Sequence, residues 1–246
     1  MALVQTFEKQ GNFLFKYRGQ FPVILFLLAI PFISITDYIS ISASNEKYYM
    51  IISVVLSFLG FLIRFYTIGT TPKGTSGRNT KQQVAEVLNS TGIYATVRHP
   101  LYLGNYLIWI GIASYVFNLL FIVIISLIFW LYYERIMFAE ERFLEKKFGD
   151  EYLDWSNKIP AFIPNFTLYE TSLIPFSIKT VLRREYSGVL ACVIGFCFVD
   201  MFRNYLIGEE LFSDTMIYVF TTTLMISIVL RTLKRNTQVL SEKDRS

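Results

Sequence analysis

Six apolar blocks dominate the sequence and indicate that the chain folds in a lipid bilayer. Each contains 15 to 22 mostly uncharged residues, close to the ~20 that a helix needs to cross a hydrocarbon core ~30 Å thick. The blocks are residues 21–42, 48–69, 101–117, 119–133, 186–207 and 212–230. Charged residues make up only 17% of the chain, fewer than in soluble domains. We therefore expect an all-α, polytopic integral membrane helical bundle with about six spans.

The third and fourth blocks are short, and little more than Asn118 separates them. They predict a tight antiparallel helical hairpin that fills the bilayer as a pair. The chain then divides into an N-terminal segment with two spans (1–69), a central segment around the hairpin (70–165), and an interfacial segment with two C-terminal spans (166–246). The polar segments are too short to form an independent soluble domain.

Basic residues predict the orientation of these spans. If the N-terminus is cytoplasmic, 20 of the 23 Lys and Arg fall on the cytoplasmic side, only Lys47 and Arg203 fall outside, and Arg64 lies within a span. This bias follows the positive-inside rule and predicts that both termini are cytoplasmic. Topology and anionic lipid account for the net charge of +4, so no nucleic-acid partner is needed. The first 19 residues do not resemble a cleavable signal peptide, and we expect the first span to remain as an anchor.

Cysteine and histidine usage argues against redox and metal chemistry. The two cysteines, Cys192 and Cys197, share one apolar block and are not spaced as a CxxC pair. We expect them to pack as small apolar residues. His99 is the only histidine, so no metal site is expected.

Two polar segments flank the hairpin. The first contains KQQVAEVLN at residues 81–89, where Val84, Val87 and Leu88 have helical spacing and predict a short helix. The second continues the fourth block as a helix until Gly149. An aromatic stretch and two prolines follow and predict a rigid loop at the membrane surface.

The single histidine stands in the stretch ATVRHPLYLGNYL, residues 95–107. Because Pro100 suits the first turn of a helix, Arg98 and His99 are expected at the N-terminal end of the third span. Free backbone N–H groups and the helix dipole make such an end a potential anion site, and Tyr102 follows one turn later. The alternative is an interfacial anchor of cations and aromatic rings.

Glu140 and Glu141 form a second candidate constellation, just beyond the fourth block. The alternative is a solvated helix face with salt bridges between residues three or four apart. Neither carboxylate has a cationic neighbour at those spacings on its own helix. Each therefore needs a partner from elsewhere in the fold, or a cationic ligand.

These stretches resemble the isoprenylcysteine carboxyl methyltransferase and phospholipid methyltransferase family of integral membrane enzymes. The shared signature is G-x-Y-x-x-x-R-H-P-x-Y-x-G, then E-E-x-x-L, F-G-x-x-Y-x-x-[YW] and P-x-x-x-P. The resemblance covers about residues 70–165, with the hairpin between its two halves. It identifies that central segment as a methyltransferase core.

The resemblance implies an S-adenosylmethionine pocket at the cytoplasmic ends of the hairpin helices. It places the cofactor contacts at Val87, Leu88, Asn89, Tyr94, His99, Pro100, Leu101, Tyr102 and Glu140. A carboxylate such as Glu140 suits the cofactor's ammonium group, and Arg98 or His99 its carboxylate. Arg98, His99 and Glu141 are the candidate catalytic residues.

The methyl acceptor is less closely defined. The resemblance allows prenylated cysteine carboxylates, phosphatidylethanolamine amines and lipid phosphates, each delivered from the bilayer. The resemblance places Arg135 close to an arginine that holds the substrate, and Arg64 is a second candidate substrate-binding residue. Both favour an anionic acceptor, although Arg64 could equally be a snorkelling anchor. An amine acceptor would need a base, either His99 or Glu141. No obligate protein partner is evident.

Two other classes of protein remain open at this stage. Membrane sterol-type reductases, which bind NADPH, resemble the same C-terminal pattern, but they would need extra basic residues for the cofactor's phosphate. A non-enzymatic membrane scaffold is the third possibility, and it would leave Glu140 and Glu141 unexplained.

Overall fold

The computed structural model describes residues 2–72, 74, 83–242 and 245, without the side chains of residues 21–23. Within these residues there are eight α-helices, two short 3₁₀ helices and no strand. The α-helices are Leu3–Tyr17 (α1), Phe21–Ile35 (α2), Ala43–Gly69 (α3), Pro100–Ser114 (α4), Leu119–Phe148 (α5), Asp150–Ser156 (α6), Ile178–Ile207 (α7) and Asp214–Asn236 (α8). The predicted all-α class is confirmed for the described residues.

Four of the described helices, α3, α5, α7 and α8, are long and apolar enough to cross a membrane. Many of their large apolar side chains face outward; Leu127, Leu131 and Met225 are each at least 60% exposed, as expected for side chains in contact with lipid. Helices α2 and α4 have 15 residues each, or about 22 Å of helix. That is less than the bilayer core, so the count of six spans stays a prediction.

Several helix boundaries follow from local sequence. Pro100 occupies the first turn of α4 as predicted, and α5 ends at Gly149, whose φ of 57° favours glycine. Helix α2 is shorter than its apolar block because the Asp37 carboxylate accepts hydrogen bonds from the backbone N–H groups of Ile39 (3.2 Å) and Ser40 (3.3 Å). This turn stops the helix before the block ends.

The short helix predicted at 81–89 is wrong for the residues that are described. Residues 83–89 are non-helical, and 81–82 lie outside the described residues. The side chains of Val84 and Val87 are 41% and 59% exposed, whereas the neighbouring Ala85 is buried. Val84, Val87 and Leu88 therefore do not form one buried helix face. Three residues at helical spacing cannot nucleate a helix without packing along that face.

Small residues bring α3 and α4 into close contact. A Cβ atom at Gly60 would lie 2.6 Å from the carbonyl oxygen of Gly104, and one at Gly111 would lie 2.1 Å from the Ser57 hydroxyl. Such small residues let helix backbones approach closely in membranes, where packing drives association. Helix α7 packs against both α3 and α4, and residues of all three helices line the cavity described below.

Helices α4 and α5 form the predicted hairpin. Only residues 115–118 separate them, and the Asn118 side chain caps α5 by accepting a hydrogen bond from the Phe121 N–H (3.1 Å). The start of α4 lies beside the end of α5, so the two run antiparallel. Helix α1, which was not expected from the sequence, packs on α5 with Gly11 against the Arg135 carbonyl.

Candidate active site

A cavity of about 680 Å³ lies among α3, α4, α5 and α7, with residues 83–89 along one side. All nine predicted cofactor-contact residues line it, as do Arg98, Glu141 and Arg64. Its walls change character along α4. The polar side chains of His99, Tyr102 and Asn105 line one part, and the side chains of Ile108, Trp109 and Ile112 line the other. The sequence signature therefore surrounds one cavity that has a charged end and an apolar end.

The loop with two prolines fixes the start of α4. The backbone N–H of Arg98 donates to the Pro160 carbonyl (2.9 Å), and that of His99 donates to the Ala161 carbonyl (3.2 Å). Farther along, the Asn165 N–H donates to the Thr96 carbonyl (2.9 Å). The P-x-x-x-P segment thus supports the histidine from outside the cavity.

These contacts correct one expectation about the helix end. The N–H groups of Arg98 and His99 already have carbonyl partners, Pro100 has no N–H, and the Tyr102 N–H donates to the His99 carbonyl (3.2 Å). Most of the backbone donors that would form an anion site are therefore occupied. An anion in the cavity would have to be bound mainly by side chains.

Glu141 finds its partners at the start of α4. Arg98 Nη1 donates to Glu141 Oε2 (2.9 Å), and His99 Nε2 lies 2.8 Å from Glu141 Oε1. The His99 ring also stacks on Tyr102, with 5.7 Å between ring centroids. The expectation that this carboxylate pairs with another part of the fold is confirmed. Glu141 holds the arginine and the histidine in place.

Glu140 is less completely paired. Tyr102 donates its hydroxyl to Glu140 Oε1 (2.7 Å). The nearest cationic groups, Arg18 Nη1 and His99 Nδ1, are each 3.8 Å from its carboxylate oxygens. Because a carboxylate offers about four acceptor positions, Glu140 can bind a further donor from the cavity. Arg18, just after α1, was not predicted as part of the site.

Three side-chain donors at the cavity wall make no hydrogen bond of good geometry with the described residues. They are Arg98 Nε, the Tyr152 hydroxyl and Trp155 Nε1, and all three atoms are buried. Burial, and then the nearby Glu141 charge, raise the pKa of Tyr152 well above its ordinary value, so this hydroxyl remains a donor. Buried donors without partners are rare in proteins, and three on one cavity wall suit a ligand with acceptor oxygens.

Arg64 points into the cavity. Its Nε and Nη2 atoms each donate to a different oxygen of Glu185, both at 2.7 Å. Its Nη1 donates to Asn105 Oδ1 at 2.5 Å, and Asn105 Nδ2 donates to the Tyr133 hydroxyl at 3.1 Å. This inward geometry differs from that of a snorkelling anchor. Glu185 carries no local sequence signal and was missed.

The structure does not bring Arg135 to the site, so its assignment to substrate binding needs correction. The Arg135 guanidinium lies over the Phe7 ring, 3.5 Å from its centroid, and Nη1 donates to Glu134 (3.0 Å). It is not among the residues that line the cavity. The resemblance that suggested Arg135 did not reveal that this side chain faces α1.

The apolar end of the cavity is formed partly by helices outside the hairpin. Phe26 of α2, Phe61 of α3, and Ala191 and Cys192 of α7 contribute to it. The Cys192 side chain is 7% exposed, and it lies in the wall of the cavity. A hydrocarbon chain would find apolar contacts here.

Comparison with known proteins relates part of this chain to a family. Residues 48–151 match the family model described as phospholipid methyltransferase. The resemblance inferred from the motifs is therefore confirmed for this part of the chain. The match begins earlier than the signature and includes α3, which carries Arg64.

The individual relatives have two kinds of name. The protein-S-isoprenylcysteine O-methyltransferase of Schizosaccharomyces pombe is 33% identical over 84 residues, 34% of this chain and 36% of that enzyme. The enzyme of the same name from Saccharomyces cerevisiae is 35% identical over 85 residues, 35% of this chain and 36% of that enzyme. The cobalt-zinc-cadmium resistance protein of Cupriavidus metallidurans is 34% identical over 82 residues, 33% of this chain and 38% of that protein.

The matched part spans little more than a third of the length of these relatives. No solved structure matches the chain. Because relatives with different names match this chain, the matches alone do not identify the acceptor.

Proposed function

We propose that this protein is an S-adenosylmethionine-dependent methyltransferase of the membrane that acts on an anionic oxygen of a lipid or lipidated acceptor. One observation carries the proposal: a single cavity joins an incompletely paired carboxylate, three unpaired buried donors and an apolar end. The family match and the isoprenylcysteine O-methyltransferase relatives support it.

The residues at the charged end fit the cofactor. S-adenosylmethionine carries an ammonium, a carboxylate and a methyl-bearing sulfonium, and when bound it supplies an electrophilic methyl group. Glu140 has acceptor capacity for the ammonium, and the unpaired donors of Arg98, Tyr152 and Trp155 suit the carboxylate. The wall at Val87, Leu88 and Asn89 would shelter the adenosyl part, with Tyr94, Pro100, Leu101 and Tyr102 around it.

The catalytic contribution of the chain is then mainly positioning and charge. An acceptor that is already anionic needs no general base. Glu141 holds Arg98 and His99 by short contacts of 2.9 and 2.8 Å, which fixes the positive groups at the start of α4. We assign Glu141 a positioning role and His99 a role in binding.

The charge of the acceptor end favours an anion. Arg64 lies at the junction between the polar and apolar walls, and the buried Arg184 lines the same cavity. The relatives named O-methyltransferases support a carboxylate, and a lipid phosphate has the same charge chemistry. Arg135, which lies outside the cavity, has no part in this proposal.

The proposal includes a membrane topology. Helices α2 and α4 would complete six spans, both termini would be cytoplasmic, and the cavity would open at the cytoplasmic face, where most of the basic residues lie. The central segment 70–165 would form the methyltransferase core between N-terminal and C-terminal spans.

The test is methyl transfer in native membranes. Membranes that contain the wild-type protein are incubated with S-adenosylmethionine carrying a labelled methyl group, and the lipid and protein fractions are then separated. We expect base-labile label on a carboxylate, or phosphate-linked label, in one fraction, and about 10- to 100-fold less label with Glu140→Gln at a limiting concentration of the methyl donor. Base-stable label on an amine lipid would contradict the anionic acceptor.

A further inference from the structure

The ion pair between Arg64 and Glu185 lies where the cavity changes from polar to apolar. Along α4, Asn105 separates the charged end at Tyr102 from the apolar end at Ile108, and Arg64 donates to this asparagine. Glu185 is only 3% exposed. The pair therefore occupies the position that the headgroup of an amphiphilic acceptor would reach when its chain fills the apolar end.

We propose that Glu185 is a positioning residue that fixes Arg64 for binding the anionic headgroup of the acceptor. The proposal rests on the function proposed above and extends it to a residue on α7. The headgroup chemistry is a terminal carboxylate or phosphate on a long hydrocarbon chain.

The hydrogen bonds of Arg64 show how Glu185 fixes it. A guanidinium has five N–H groups. One on Nε and one on Nη2 go to Glu185, and one on Nη1 goes to Asn105. Among the described contacts, one N–H remains on each terminal nitrogen. Glu185 thus occupies the side of the guanidinium formed by Nε and Nη2, and the two remaining N–H groups can donate to a second anion.

Gly104 makes room for the arginine, and Gly188 lies next to the pair on the other side. A Cβ atom at Gly104 would lie 2.6 Å from Arg64 Cγ, so only glycine leaves room for the arginine side chain. At Gly188, one turn after Glu185, a Cβ would lie 3.7 Å from Glu185 Oε2 and 3.9 Å from the Phe61 ring. No side chain from position 188 occupies the space next to the pair.

The position of Glu185 in the chain indicates which part of the protein helps to select the acceptor. Residues 48–151 match the family model, and they include Arg64 and Asn105 but not α7. Arg184, beside Glu185, adds a second positive group to the cavity wall. The C-terminal part of the chain thereby contributes to the charge and geometry of the acceptor site.

The experiment measures discrimination between anionic and neutral probes that have the same chain. Purified full-length protein is titrated with N-acetyl-S-farnesyl-cysteine and its methyl ester, and separately with farnesyl phosphate and farnesol. We expect wild type to prefer the anionic member of at least one pair by ~10-fold or more. The pair that shows this preference distinguishes a carboxylate from a phosphate acceptor.

Glu185→Gln keeps the shape of the side chain and removes its charge. We expect the preference for the anion to fall to about threefold or less, while S-adenosylhomocysteine affinity stays within about twofold of wild type. Arg64→Lys, which keeps the charge but has no planar fork, gives a second measurement with the same expected loss. Asp200→Asn, a buried acid at the other end of α7, is the control that lowers stability and leaves the preference unchanged.

Two results would overturn the proposal. One is a wild-type protein that prefers the anion in neither pair. The other is a Glu185→Gln variant that keeps the wild-type preference while Arg64→Lys loses it. Failure of the proposed function would be recognised separately, because the wild-type protein would then not bind S-adenosylhomocysteine, whatever its affinities for the farnesyl probes.

Discussion

Helix α7 carries a buried ion pair near each end, and the two pairs have different surroundings. Near its start, Glu185 binds Arg64 at 2.7 Å in the wall of the cavity. Near its end, Asp200 binds Arg203 at 2.9 Å, and neither residue lines that cavity. Asp200 also accepts a hydrogen bond from the Tyr115 hydroxyl at 3.0 Å.

The difference shows that buried charge alone does not mark a binding site. The Arg203 guanidinium lies over the rings of Tyr115 and Phe117, 5.0 and 5.2 Å from their centroids, so packed aromatic side chains surround this pair. Arg64, by contrast, faces space that a ligand can enter. We infer that the Asp200 pair stabilises the fold and that the Glu185 pair serves binding.

The largest expected effect tests the structural pair. Asp200→Ala leaves the buried Arg203 with only the more distant Glu46 carboxylate, 3.9 Å away, and removing one partner of a buried pair costs about 3–5 kcal/mol. We expect a clear fall in the unfolding temperature in detergent, with S-adenosylhomocysteine affinity unchanged in the fraction that remains folded. A selective loss of affinity without loss of stability would reverse the roles assigned to the two ends.

A smaller effect is expected at the contact between α3 and α4. Gly104→Ala places a Cβ 2.6 Å from Arg64 Cγ and forces the helices or the arginine to move, at a cost of about 1–3 kcal/mol. Its matched control is Gly188→Ala, where the added Cβ makes only ordinary contacts. Thermal unfolding of both variants measures the difference. Equal stability of the two would show that the close approach at Gly104 does not matter.

The smallest expected effect belongs to one hydrogen bond at the charged end. Tyr152→Phe removes an unpaired donor, and we expect S-adenosylhomocysteine to bind about fivefold more weakly, equivalent to about 1 kcal/mol. Because the pKa of Tyr152 is raised, the ratio of wild-type to variant affinity should stay constant between about pH 6 and 9. Calorimetric titration at several pH values measures it. An unchanged affinity would remove Tyr152 from the cofactor site.

The hairpin and its charged end could be predicted because their signals are local. Pro100 marks the start of α4, Gly149 ends α5, and the missing cationic neighbours of Glu140 and Glu141 showed that each needs a partner from elsewhere. Each inference uses residues within one or two helical turns, the range over which sequence patterns report on structure.

The parts that sequence reasoning missed depend on distant contacts. Glu185 binds Arg64, which is 121 positions away in the chain. Arg18 lies just after α1, a helix of mixed composition, and its guanidinium is near the Glu140 carboxylate. Arg135, suggested by the family resemblance, lies outside the cavity because α1 covers its side of α5. The segment 81–89 has helical spacing, but the described part is held by contacts outside itself, such as the bond from Glu86 N–H to the Gly74 carbonyl (2.9 Å).

The most direct test of the central claim is cofactor binding by the purified full-length protein. S-adenosylhomocysteine and NADPH are titrated separately into wild type, Glu140→Gln and the control Glu134→Gln, whose side chain lies on the same helix but outside the cavity. We expect saturable S-adenosylhomocysteine binding by wild type and by the control, about 10- to 100-fold weaker binding by Glu140→Gln, and no NADPH binding. Saturable NADPH binding without S-adenosylhomocysteine binding would contradict the methyltransferase account.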